Sequence, residues 1–194
     1  MVSAQKILEQ NSATHAVAED FCRIFEQDMD SLYLLSLLLT ADHSKAERCF
    51  AGALQDSARS SRVFKEWARS WARRMVVHNA IRMLRPQPAN NSASNRAADQ
   101  TSQRPEIWAV LALPAFERFV FVMSVLERYS DQDCALLLDS TRGKVVAARS
   151  RALQRIGSAA EAHRNATRSS ERTAQEIAAL ARKIESVPLL ATLP

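Results

Sequence analysis

The sequence predicts an all-α fold: two small helical domains joined by a flexible linker, the second containing a helix-turn-helix, followed by a C-terminal helix. Three observations predict it. Glycine occurs 3 times and proline 6 times in 194 residues, while 47% of the residues are hydrophobic, so little interrupts helix formation. Apolar residues recur at spacings of three and four along most of the chain, the period of a helix with one buried face. One stretch, RPQPANNSASNRAADQTSQRP from Arg85 to Pro105, has no apolar period and reads as a linker. The expected division is a helical domain over 1–85, the linker over 86–106, a second domain over 107–157 and an extension over 158–194.

Residues 1–13 read as a lead-in. From about Thr14 to Leu39 the pattern is helical, with Val17, Phe21, Ile24 and Phe25 on one stripe and a dense apolar run from Leu32 to Leu39. A break over Thr40–Ser44 precedes a helix around Lys45–Ser57, whose inner residues are Cys49, Phe50, Ala53 and Leu54. A third helix is expected from Arg62 to Leu84. Phe64, Trp67, Trp71, Met75 and His78 share one side of it, which places the tryptophans in a core more readily than on a stacking platform. As a random coil the linker would span about 25 Å, enough to let two modules reach separate points.

In the second domain Pro114 suits the first turn of a helix. Phe119, Val120 and Met123 form its buried stripe, with Glu117 near the positive end of the dipole. Ser130 and Asp133 make a capping box for a short helix buried through Cys134, Leu137 and Leu138. Asp139 marks a tight turn, and Thr141 caps a third helix. Val145, Ala152 and Ile156 lie on one side of that helix. Lys144, Arg151 and Arg155 lie on another, flanked by Arg142 and Arg149. A short helix, a turn and a longer basic helix are the elements of a helix-turn-helix, whose first turn can reach base edges. Periodicity alone leaves a solvated arginine face equally open. Beyond Ile156 a polar helix is expected over Ser158–Ser186, with a short seam of Ile177, Leu180, Ile184 and Val187.

Charge is distributed in blocks. Residues 59–85 carry eight Lys/Arg and one Asp/Glu, and 142–183 carry ten and three. An acidic block precedes each. Two separated basic blocks suit two contacts with a polyanion. Cys22, Cys49 and Cys134 are scattered in apolar helical contexts, so buried, reduced thiols are expected, with no metal site. No glycine-rich phosphate loop or nucleophile–base motif is present, so neither an enzyme nor a cofactor is expected. No apolar run reaches the length of a membrane span and the start lacks a signal-peptide core, so no membrane partner and a cytoplasmic location are expected.

The run LPAFERFVFVMSVLERYSDQDCALLL, followed by TRGKV and SRAL, resembles region 4 of bacterial RNA polymerase sigma factors of the extracytoplasmic-function type. More faintly, SLYLLSLLLTADHSKAERCFAGAL and VFKEWARSWARRMVVHNAIRML resemble region 2 of the same family. The resemblance implies transcription initiation without covalent chemistry, with promoter DNA and core RNA polymerase as partners and an anti-sigma or regulatory protein as a further one. It implies that Thr141, Arg142, Lys144, Arg149, Arg151 and Arg155 meet the upstream promoter element. Trp67, Arg69, Arg73 and Arg74 would meet the melted element, and Ala46 with Glu47 would seat on polymerase. Asp139 stands where the family usually has glycine, and Lys45 and Arg48 stand where it has acids. Those departures motivate an alternative, a divergent relative that regulates or adapts through protein contacts.

Overall fold

The computed structural model describes residues 14–60, 62–88 and 105–185, with 105–106 and 176–185 as backbone alone. Eight helices are present among the described residues: α1 (Ala18–Gln27), α2 (Met29–Thr40), α3 (His43–Ala58), α4 (Ala68–Leu84), α5 (Pro105–Leu111), α6 (Ala115–Phe121), α7 (Asp131–Leu137) and α8 (Arg142–Glu185). A 3-10 turn at Lys65–Trp67 leads into α4, and a π turn at Val122–Leu126 extends α6. The described part contains no strand, only an isolated bridge between His15 and Phe64. The all-α expectation therefore holds.

The first predicted helix is divided at Asp28, a residue type that competes with the helical backbone. Its carboxylate is drawn to Arg69 at 3.3 Å. Phe21, Phe25, Leu32, Leu35 and Leu39 are buried as expected, whereas Ile24 is half-buried and Val17, just ahead of α1, is exposed. The break after α2 is set by Ala41, in the left-handed region at φ 53°, and by Asp42, whose carboxylate caps α3 by accepting from Lys45 N at 2.8 Å. Cys49 and Ala53 are fully buried on α3, with Phe50 and Leu54 partly buried beside them.

Helix α4 differs from expectation in its start and its inner face. It begins at Ala68, and the buried residues are Ala68, Ala72, Val76, Val77, Asn79 and Ala80. Trp67 is 62% exposed, and Trp71 is half-buried at the flank. The small side chains let α4 approach α3 closely. At Gly52 of α3, an added Cβ would lie 2.7 Å from Asn79 Oδ1, so any larger residue there would displace the Asn79 side chain. The core position expected for Trp67 is thus taken by the neighbouring alanine stripe. Cys22 departs from expectation too: it is exposed on the outer face of α1.

The larger hydrophobic core runs without a break from α2, α3 and α4 into α5, α6, α7 and the first part of α8. Helix α2 touches α5, α6 and the π turn. Phe119, Val120 and Met123 are fully buried, and each such side chain contributes roughly 1.5–3 kcal/mol. Arg118, only 5% exposed, is placed at this junction. Its guanidinium donates to the carbonyls of Leu39 (3.3 Å), Leu111 (3.4 Å) and Leu113 (2.8 Å), near the ends of α2 and α5. Burial lowers its pKa to about 10.

Of the expected linker, 89–104 lie outside the described residues, and α5 already begins at Pro105. The third and C-terminal helices, expected as two, form one helix of 44 residues, about 66 Å long. Gly157 does not interrupt it, and side chains from Gly157 to Gln175 are exposed. The lead-in 1–13, the side chains of the Ile177–Leu180–Ile184 seam and Val187 lie outside the described part. No helix among the described residues is long and apolar enough to cross a membrane.

Candidate nucleic-acid interface

The geometry of the second cationic block starts with local capping. Asp133 N donates to Ser130 Oγ at 3.1 Å, and Ser130 N donates back to Asp133 Oδ2 at 3.3 Å, closing the capping box of α7. Asp139 takes φ 46°, the left-handed conformation that turns the chain. Ser140 N bonds Ala135 O at 2.9 Å across that turn. Thr141 Oγ1 then accepts from Lys144 N at 3.4 Å at the start of α8. Cys134 and Leu138 of this segment share the core with Val145, Ala148 and Ala152, so α7 seats the first turns of α8.

This packing separates the basic residues of α8 into two groups. Arg142 and Lys144 are exposed at its first turn and make no ion pair among the described residues. Gly143 between them faces open space. Arg149, by contrast, is paired with Asp131. Arg151 Nε donates to Glu117 Oε1 at 2.8 Å, and Arg155 Nε stands 3.1 Å from Glu117 Oε2 without hydrogen-bond alignment. The Glu117 side chain is only 9% exposed. A nearly buried carboxylate therefore holds two arginines of the basic face against α6.

The first cationic block divides similarly. Arg69 reaches Asp28 and donates to Gln27 Oε1 at 2.9 Å. Arg73 forms a two-pronged pair with Glu127, its Nε at 2.8 Å, and a further bond to Ser31 Oγ at 2.8 Å. The Glu127 hydrogen bond is the main reason the Arg73 pKa is raised. Arg74 is exposed and stands over the Tyr129 ring, 5.9 Å from its centroid. His78 is exposed, and its pKa is lowered, first by desolvation and then by Arg74 and Arg82.

Beside this block is an open cavity of about 790 Å³ that combines rings with cations. Phe64, Trp67 and Trp71 line it with Arg59, Arg62 and Arg74. Trp67 packs edge-on against Phe64 at 5.5 Å, and Trp71 Nε1 donates to Ser60 Oγ at 3.1 Å. The rings are thereby held while leaving Trp67 open to solvent. Such a surface can stack flat bases and hold their phosphates.

Sequence reading missed three parts of this arrangement: the carboxylates Glu117 and Glu127, and the pair Arg59 and Arg62 on the loop before α4. The alternation of acidic and basic blocks was the available signal for the first two, because the acidic segment 105–141 supplies the partners of the arginines. Of the two residues expected to seat on polymerase, Glu47 is exposed on α3, whereas Ala46 is fully buried. Among the described residues no group of three or more His, Cys, Asp or Glu could hold a metal. Burial pushes the thiols of Cys49 and Cys134 up to about 11. No family model and no curated protein matches the chain.

Proposed function

We propose that this protein is a sigma-like transcription initiation factor that binds core RNA polymerase and promoter DNA. The observation carrying the proposal is the first turn of α8. Arg142 and Lys144 are exposed there and make no ion pair among the described residues, on a helix seated by a short helix across a tight turn. That arrangement suits a helix-turn-helix whose leading residues enter a major groove. The cavity of Phe64, Trp67 and Trp71 supports a second contact, with unpaired bases, each stacking worth roughly 1–3 kcal/mol. Glu47 offers an exposed contact for polymerase.

The test is transcription in vitro with purified core polymerase and a promoter library, with binding measured in parallel. Replacing Arg142 and Lys144 by alanine is expected to weaken specific binding more than nonspecific binding, by about 1–3 kcal/mol for each base edge no longer read. An equal weakening of both would reduce these side chains to phosphate binders. A second reading, a protein-binding regulator without initiation activity, is favoured by the long exposed surface of α8 from Gly157 to Gln175. It predicts capture of a protein partner with neither polymerase binding nor specific transcripts.

A further inference from the structure

The geometry points to a small-molecule site at the seam between the two halves of the fold: a cleft that takes a phosphate-bearing ligand on Arg74 and Arg128. The cleft has a volume of about 350 Å³, near the lower end of small-molecule sites. Ser70, Arg73 and Arg74 of α4 form one wall, and Glu127, Arg128 and Tyr129 form the other. Sites of this kind favour boundaries between packed units.

The lining carries a net positive charge. Its three arginines face two carboxylates, Glu127 and Asp133, for a net charge of +1. Both carboxylates are engaged. Glu127 is occupied by Arg73, and Asp133 accepts from the Ser130 hydroxyl at 2.6 Å. Arg74 makes no ion pair among the described residues but stands over the Tyr129 ring and interacts electrostatically with the Tyr129 hydroxyl and Asp133, and Arg128 is exposed with no ion pair among the described residues. Desolvation raises the Tyr129 pKa, so the phenol stays neutral and does not repel an anion. Two guanidinium groups and neutral hydroxyls match the oxygens of a phosphate.

The backbone is irregular at the same place. Residues Val122–Leu126 form a π turn, and Arg128 follows at φ 58°, in the left-handed region it shares with Ala41, Arg85 and Asp139 among the described residues. Both irregularities concentrate at functional positions. Here they place Arg128 in the lining of a cleft whose other wall is α4. Because Arg74 and Arg128 belong to different halves, a ligand bound to both adds to the stability of the packed fold.

The proposal is tested by titrating the full chain with inorganic phosphate and with pyrophosphate by calorimetry, at constant ionic strength balanced with sodium chloride. Saturable binding is expected, tighter for pyrophosphate, with Kd rising at least about tenfold in Arg74→Ala and in Arg128→Gly. The glycine variant suits the left-handed backbone, so its loss of binding cannot be ascribed to misfolding. Absence of saturable heat at millimolar pyrophosphate, or an unchanged Kd in Arg128→Gly, overturns the assignment. So does an oligonucleotide that binds through Arg128 while pyrophosphate does not, which would make the cleft a nucleic-acid contact. Arg74 also lines the proposed base-stacking cavity, but Arg128 lies outside the proposed promoter contacts, so the Arg128→Gly result separates this assignment from the initiation reading.

Discussion

Phe119→Ala tests whether the two halves fold as one. Phe119 is fully buried in the core that α2, α3 and α4 share with the C-terminal helices. Truncating it removes the ring's burial and leaves a cavity, a cost of about 3–5 kcal/mol. With a urea slope of about 2 kcal/mol/M, the unfolding midpoint should fall by roughly 2 M. The assay is equilibrium unfolding in a Trp108→Phe background, which leaves Trp67 and Trp71 as the fluorophores. Both belong to the segment before α5, whereas far-UV circular dichroism reports all helices. One shared core requires both signals to shift together, because unfolding α6 strips the apolar covering from α2 and removes Arg118 from Leu39 O. A circular dichroism transition that moves while the tryptophan transition stays put would refute the shared-core reasoning.

Three further outcomes are expected. Ser130→Ala opens the capping box of α7 and should cost about 1 kcal/mol in thermal or chemical unfolding. Glu117→Gln should release Arg151 and Arg155, cost about 1–2 kcal/mol given their partial exposure, and steepen the salt dependence of DNA binding. Unaltered salt dependence would remove those arginines from the proposed DNA contact. Asp56 is held below the usual carboxylate range by Asn79, with Arg82 adding to the effect. Its folded pKa is depressed, so its contribution is present above the unfolded value of about 3.9 and is lost as pH falls through the folded value. Asp56→Asn should therefore flatten the acid limb of the stability profile below about pH 4, read by unfolding at a series of pH values.

What could be read along the chain was what a helical turn encloses. The Ser130–Asp133 box, the Thr141 cap, the Asp139 turn and the Val145–Ala152 stripe each join residues a few positions apart, and each is present. Their partners lie within the reach of one or two turns, so spacing and residue type suffice. The inner face of α4 was not so constrained. Trp67, Trp71 and Met75 fall at the same period as Ala68, Ala72 and Val76, one position away. The choice between the two stripes depended on which of them packs against α3.

The fate of the basic face was less legible still. Arg151 meets Glu117 across 34 residues, Arg73 meets Glu127 across 54, and Arg118 reaches Leu39 across 79. Residue order announces that acidic and basic segments alternate. It does not announce which charges meet, because that follows from the angles at which α4, α6 and α8 pack. Helix, cap and turn are local properties of this chain, written in neighbouring side chains. Which arginines remain free at the surface is a property of the assembled core, since a carboxylate can neutralise an arginine only where packing brings them within reach.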